Sequence, residues 1–210
     1  MNRREFIKHT TAAVAGTSLL LSACNKQTES SPIVSTTGEM TKRINPNTGD
    51  EVSLLGYGMM RLPGKEAADG APYELDQVVI NELVDYALEH GVNYFDTAVP
   101  YHGGMSEKVM GEILSAYPRD SYYLASKFPG HQVMEEYRCQ EMFSDQLKRC
   151  GVDYFDVYLL HGLDGEDAAF AEEQGCFDFL EKLKQAGKVR YTGFSFHDTA
   201  DVLDEILKNH

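Results

Sequence analysis

A complete strand–helix–strand pattern occupies residues 121–161 of this 210-residue chain, which read SYYLASKFPGHQVMEEYRCQEMFSDQLKRCGVDYFDVYLLH. Residues 122–127 and 154–161 are short apolar runs of the kind that form buried strands. Between them, residues 135–149 have apolar side chains at helical spacing, and Gly151 follows where the end of a helix favours glycine. Two strands joined by a helix in this way are typical of a parallel βαβ unit.

The same alternation continues on both sides of this unit. We predict strands at residues 54–60, 93–96, 122–127, 154–161 and 190–196, and helices at residues 75–89, 106–117, 135–149, 170–185 and 199–208. Ser106 is the predicted N-cap of the second helix. The predicted inner face of the first helix consists of Val78, Val79, Leu83, Tyr86, Ala87 and Leu88.

Five predicted βα units follow a small hairpin, in which residues 42–44 and 51–53 flank a turn at residues 45–49. A (β/α)8 barrel needs about 250 residues, whereas residues 41–210 supply about 170. We therefore expect either an open sheet or an incomplete barrel. In both cases the first and fifth strands have an unpaired edge, which a partner chain that completes the barrel would cover.

Four polar residues stand at or just after the predicted ends of strands, where the active site of a (β/α)8 fold lies: Asp96, Tyr101, Lys127 and His161. Together they suit the reduction of a carbonyl group, whose oxygen must receive a proton. Tyr101 has a hydroxyl to donate, and a neighbouring Lys127 ammonium would stabilise the tyrosinate left behind. Asp96 would hold Lys127 charged and oriented, while His161 would donate to the carbonyl oxygen and polarise it.

These residues lie in motifs that resemble the aldo-keto reductase family. The motifs are GYGM at residues 56–59, DTAVPY at 96–101 followed by Ser106-Glu107, LASK at 124–127, DYFDVYLLH at 153–161, and GKVRYTGFS at 187–195. The resemblance implies an α/β fold of the (β/α)8 TIM-barrel family, incomplete, with about five βα units after an N-terminal β-hairpin. It implies an NADP(H)-dependent oxidoreductase that reduces aldehydes or ketones in a truncated form of the family's chain.

By this resemblance Tyr101 is the general acid, and Asp96, Lys127 and His161 support it. The cofactor is NADPH, or NADH, and the substrate is a small carbonyl compound. Ser195 would lie near the nicotinamide amide, with Gly58, Met59 and His197 as further candidate cofactor contacts. This sequence has Ser195-Phe196-His197 where the family usually shows Ser-Asn.

The N-terminus has the features of an export signal. Arg3 and Arg4 precede a weakly apolar run at residues 10–23, which resembles a twin-arginine signal, and LSAC at residues 21–24 looks like a lipobox with Cys24 as the acylated residue. We expect a signal at residues 1–23, a polar tether at 24–40 and the barrel domain at 41–210. The predicted location is the cell envelope, with the lipid as the protein's only attachment to the membrane.

The composition narrows the possible partners. A formal net charge of -14 argues against binding nucleic acid, and the four cysteines include no CxxC pair of the kind that binds zinc.

Two other functions stay open. One is a non-catalytic binding or regulatory subunit with a reductase-like fold, and the other is a metal-dependent hydrolase, although the histidines form no recognisable ligand set and we predict no metal site.

Overall fold

The computed structural model describes residues 39–65, 74–129 and 136–210. The predicted signal, Cys24 and all but the last two residues of the predicted tether lie outside the described residues. In chain order the strands are β1 (Lys42–Ile44), β2 (Glu51–Ser53), β3 (Tyr57–Gly58), β4 (Gly64–Lys65), β5 (Glu74–Leu75), β6 (Tyr94–Asp96), β7 (Tyr123–Phe128), β8 (Phe155–Leu163) and β9 (Val189–Phe196). The helices are α1 (Gln77–Glu89), α2 (Ser106–Leu114), α3 (Glu136–Cys150), α4 (Gly165–Glu173), α5 (Cys176–Gln185) and α6 (Ala200–Asn209).

Five parallel strands form one sheet in the order β3-β6-β7-β8-β9. Within this sheet each strand therefore lies beside the sheet strand that precedes it along the chain, which is the order that a barrel requires. The predicted alternation of strands and helices is confirmed. Because all five strands are parallel, their carboxyl ends meet at one edge of the sheet, and the polar residues that follow them come together there.

The core lies between the sheet and the helices that cover it. Aromatic side chains of neighbouring elements are in contact, with the rings of Phe128 and Phe179 5.4 Å apart and those of Phe143 and Tyr158 5.0 Å apart. The three described cysteines, Cys139, Cys150 and Cys176, are buried in this core and form no disulfide with one another, so they pack as small apolar residues.

Two hairpins accompany the sheet. The predicted one, β1–β2, is confirmed and pairs Lys42 with Ser53, and the second is β4–β5. Asp50, in the β1–β2 turn, binds Arg190 at the start of β9 with an Nη2–Oδ1 distance of 2.6 Å, and it accepts a hydrogen bond from the Tyr191 hydroxyl. The hairpin is thereby attached to the amino-terminal end of the sheet.

The first strand and the first helix differ from the prediction. β3 has only two residues instead of seven, since only Tyr57 and Gly58 pair with β6. On α1 the side chains that face the core are Ile80, Val84 and Ala87. Of the predicted inner face only Ala87 is buried, and Val78, Val79, Leu83 and Tyr86 are exposed. The helix is apolar on both sides, so its sequence does not distinguish the two faces.

Two further predictions are wrong. Residues 170–185 are not one helix, because α4 ends at Glu173 and α5 begins at Cys176, with Gly175 between them at a left-handed φ of 67°. Ser106 is not an N-cap but the first residue of α2. Its hydroxyl is buried and lies 2.8 Å from the Thr97 hydroxyl, so it joins two elements instead of closing a helix end.

In the part of the chain that the structure describes, no helix combines the length and the apolar composition needed to cross a bilayer.

Candidate active site

Lys127 stands at the centre of the polar residues on the carboxyl edge of the sheet. It is the fifth residue of β7, and its side chain is 6% exposed. The ammonium group donates to the Asp96 carboxylate, to the Thr97 carbonyl oxygen at 2.9 Å and to the Tyr101 hydroxyl oxygen at 3.2 Å. A buried ammonium loses its hydration, and these three acceptors replace it.

Tyr101 reaches Lys127 because the chain turns sharply after β6. Asp96 ends that strand, and Tyr101 begins a tight turn that continues to Gly104, in which His102 and Gly103 have left-handed φ values of 51° and 62°. The Lys127 nitrogen also lies 4.9 Å from the centre of the Tyr101 ring. The predicted spacing of five residues between Asp96 and Tyr101 thus brings both side chains to one ammonium group.

His161 contacts the same group of residues from the next strand. Its ring meets the Tyr101 ring edge-on, with the centroids 5.8 Å apart. Contrary to the prediction, His161 does not end its strand. β8 continues to Leu163, with a register irregularity beyond Leu160. Gly162 takes a left-handed φ of 70° there. All four predicted site residues therefore lie together, although their catalytic roles stay predictions.

The four candidate cofactor contacts differ in their exposure and in their distance from the other site residues. The Ser195 hydroxyl oxygen accepts a hydrogen bond from the Gly162 amide at 2.7 Å, so it lies beside His161. Since that bond uses the oxygen as acceptor, the hydroxyl keeps a proton to donate, which suits the carboxamide of a nicotinamide. Gly58 and His197 are exposed. The Met59 side chain is completely buried in the core, so a contact from that residue has no support from its side chain.

A buried polar network behind Lys127 was missed by sequence reasoning. Glu107 is 1% exposed and accepts from Ser126 at 2.6 Å, from Gln146 at 2.7 Å and from Arg149 at 2.7 Å. The amide of Gln146 also lies 3.2 Å from the Lys127 carbonyl oxygen. The available signal was the three-residue spacing of Gln146 and Arg149, which puts both side chains on one face of α3.

The described residues include no group of three or more histidine, cysteine, aspartate or glutamate side chains that could hold a metal ion. The arrangement at the sheet edge instead offers a proton donor, Tyr101, next to a fixed positive charge. Such a pair can protonate an oxygen on which negative charge develops.

Comparison with known proteins identifies relatives of this chain. The model of the family described as "Aldo/keto reductase family" matches residues 54–210. L-galactose dehydrogenase of Arabidopsis thaliana is 34% identical over 166 residues, which are 74% of this chain and 49% of that protein. The chain spans about half the length of the curated relatives it matches, from 42% to 50% of the first five.

Solved structures agree with these relatives. The holo form of an aldo-keto reductase from Bacillus halodurans is 31% identical with a TM-score of 0.64, over 80% of this chain and 54% of that one. An aldo-keto reductase from Klebsiella pneumoniae in complex with NADPH is 28% identical with a TM-score of 0.58, over 77% of this chain and 51% of that one. The predicted fold class, a (β/α)8 barrel represented here by about five βα units, is confirmed.

Proposed function

This chain belongs to the aldo/keto reductase family, and from that membership we propose that it reduces an aldehyde or ketone with NADPH or NADH, with Tyr101 as the general acid. The observation that carries the proposal is the position of the Lys127 ammonium, which contacts the Asp96 carboxylate and lies 3.2 Å from the Tyr101 hydroxyl oxygen.

Four residues of this chain have separate roles in the proposed proton transfer. Tyr101 donates its hydroxyl proton to the carbonyl oxygen of the substrate, and the Lys127 ammonium stabilises the tyrosinate that remains. Asp96 keeps the ammonium in place. His161 donates to the same carbonyl oxygen and orients it.

A nicotinamide cofactor, when bound, supplies the hydride for the carbonyl carbon. Ser195 would hold its carboxamide, and Gly58 and His197 are exposed residues available to contact it. The complex of the Klebsiella pneumoniae relative with NADPH supports this choice of cofactor. A purely regulatory subunit would not need a buried lysine directed at a tyrosine hydroxyl, so the catalytic function is favoured over the binding or regulatory alternative.

The test uses the full 210-residue chain. NADPH is titrated while its fluorescence is followed, and the loss of fluorescence is then measured after an aldehyde is added. We expect saturable binding and an aldehyde-dependent loss whose rate falls at least about 100-fold in Tyr101→Phe, because general acid catalysis contributes about 100- to 10,000-fold.

The matched control is Tyr123→Phe, which removes a hydroxyl at the opposite end of β7, where it bonds Asp50 at 3.1 Å. Its turnover should stay close to that of the unmodified chain. Equal turnover in the unmodified chain and in Tyr101→Phe would refute the role assigned to Tyr101, and absence of NADPH and NADH binding would refute the function.

The proposed location follows from the N-terminal motifs: export by the twin-arginine pathway and lipid attachment at Cys24. That pathway carries folded proteins, so cofactor loaded before export would remain bound. Native mass spectrometry of the envelope fraction tests both points, because an acylated Cys24 and a retained nucleotide each add a defined mass. An unmodified full-length mass would contradict the location.

The proposal includes a partner chain that completes the barrel. Within the described residues, β3 and β9 each have one edge without a neighbouring strand, and α1 exposes Val78 and Tyr86, which are 67% and 60% exposed. Strand edges and apolar helix faces of this kind favour association. Light scattering in solution should give a mass above 23.5 kDa, and a strictly monomeric mass would argue against a partner copy.

A further inference from the structure

His102 has an unusual backbone conformation directly beside the proposed acid. It follows Tyr101, and its φ and ψ are 51° and 43°. Among the described residues it is the one non-glycine with a positive φ. This left-handed conformation is costly for a residue with a Cβ atom, so surrounding interactions must hold it.

The His102 ring supplies those interactions. Its Nε2 accepts a hydrogen bond from the Leu62 amide at 2.8 Å, and the ring also hydrogen bonds the backbone of Met59. The Met59 amide already donates to the Asp96 carbonyl oxygen at 2.9 Å, which leaves the Met59 carbonyl as the group that the ring contacts. Because Nε2 is an acceptor, the neutral ring carries its proton on Nδ1, which donates to that carbonyl.

These two bonds join the turn of Tyr101 to the loop that follows β3. The Leu62 and Met59 side chains are both buried, at 3% and 0% exposure, so this loop is a fixed support. The Ser106 hydroxyl adds a weaker link from α2 to the Met59 carbonyl oxygen at 3.4 Å. The segment that follows Tyr101 is thereby held at two points, through His102 and through Ser106.

We infer that His102 is a positioning residue: by binding the Met59–Leu62 loop through both ring nitrogens, it fixes the left-handed turn that holds the Tyr101 hydroxyl against Lys127. The inference rests on the proposed function, in which Tyr101 is the acid. The contact itself exists without cofactor or substrate, so it is testable separately from activity.

The first test is nuclear magnetic resonance of the full chain without cofactor. With ¹⁵N-labelled histidine, His102 should show the neutral tautomer that is protonated on Nδ1, and the Leu62 amide should exchange slowly with solvent. In His102→Gly, which accepts the left-handed backbone easily, Leu62 exchange should accelerate at least about tenfold because the local opening is no longer opposed by the ring. Nuclear Overhauser contacts between the Tyr101 ring and the Lys127 side chain should weaken in the same variant.

A conservative variant separates positioning from general damage. In His102→Gln the side-chain oxygen can again accept from the Leu62 amide, so protection of Leu62 and the Tyr101–Lys127 contacts should return in part. His90→Ala is the matched control, because it removes an exposed ring that bonds the Tyr86 carbonyl oxygen at 2.7 Å. Neither readout should change in that variant.

Two outcomes would overturn the inference: unchanged Leu62 exchange in His102→Gly, or faster exchange with the Tyr101–Lys127 contacts intact. If the chain is a reductase, His102→Gly should also lower kcat about tenfold or more while KM for the cofactor stays within twofold, since only the proton donor is displaced. A chain that shows the His102 contact but no reductase activity would refute the proposed function and leave the contact established.

Discussion

The amide nitrogen of Gln146 lies 3.2 Å from the backbone carbonyl oxygen of Lys127 and 2.7 Å from the Glu107 carboxylate. Gln146 is completely buried on α3, so a helix behind the sheet contacts the strand that carries the ammonium group. The Tyr158 hydroxyl donates to the other end of the same amide. One side chain thus satisfies polar groups from three elements.

Replacing Gln146 with leucine should be strongly destabilising. It leaves the Tyr158 hydroxyl and part of the Glu107 carboxylate without partners, and a buried polar group without a partner costs about 1–3 kcal/mol. We expect the free energy of unfolding in urea to fall by about 3 kcal/mol or more. Gln140→Leu, at an exposed position on the same helix, should change it by less than about 0.5 kcal/mol. Equal effects of the two variants would contradict the importance of the network.

Asp96→Asn should separate the charge of Asp96 from its shape. The amide can still accept from Lys127, but the buried ammonium loses its counter-ion, and hydrogen bonds to charged groups contribute about 1.5–3 kcal/mol. We expect a loss of about 2 kcal/mol in thermal unfolding and, if the chain is a reductase, at least about tenfold lower kcat/KM, since 1.4 kcal/mol of barrier is tenfold. Asp145→Asn removes an exposed pair with Lys148 and should leave both quantities unchanged.

The stability of the fold should depend on pH through Asp50. A hydrogen bond from Tyr191, assisted by Arg190, holds the pKa of the Asp50 carboxyl well below its usual value of 3.8. The unfolded chain therefore binds more protons at this group, so the stabilisation is fully present above the usual value and is lost as pH falls below it. As the pH falls from 6 to 3, the melting temperature of the unmodified chain should decline more steeply than that of Asp50→Asn.

The control for this pH dependence is Asp204→Asn, whose partner Lys208 is on the same helix and whose side chain is 63% exposed. Its melting temperature should decline with falling pH as steeply as that of the unmodified chain. Parallel curves for the unmodified chain and Asp50→Asn would show that the hairpin carboxylate does not contribute.

Gly111→Ala should destabilise the protein although alanine is the better helix former. A Cβ atom on Gly111 would collide with the carbonyl of Cys150 and would stand 2.8 Å from the Arg149 carbonyl oxygen. Relief of that contact requires α2 and α3 to move apart, at a cost of about 1–3 kcal/mol, which outweighs the gain of about 1 kcal/mol in helix propensity. Chemical denaturation shows whether the free energy of unfolding of Gly111→Ala falls or rises. Glu112→Ala, a substitution of an exposed neighbour, serves as the control. Increased stability of Gly111→Ala would contradict the close approach of the helices.

The sequence predicted the parallel sheet and the convergence of Asp96, Tyr101 and Lys127 because both follow from local patterns. Short apolar runs separated by helical periods indicate βα units, and parallel strands bring their carboxyl ends to one edge. No knowledge of distant contacts was needed for either conclusion.

Three of the failures have a common physical cause, since they concern side chains whose partners lie on other segments of the fold. Glu107 is buried because Arg149 and Gln146 reach it from α3, whereas a glutamate in a helix is usually exposed. Ser106 follows a loop as an N-cap does, but Thr97 engages its hydroxyl. The inner face of α1 was misassigned for the same reason, because the packed neighbour, not the helix itself, selects the face.

Strand β8 carries Asp156 near its start and His161 near its end, five residues apart and therefore separated by about 16 Å. Asp156 binds Arg119 and Arg190 at the amino-terminal end, while His161 meets Tyr101 at the other. One continuous strand thus separates anchorage of the scaffold from the proposed proton chemistry. Substitutions near His161 that adapt the proposed site to a substrate can accumulate without disturbing the ion pairs of Asp156 at the other end, which leaves the His161 end free to diversify.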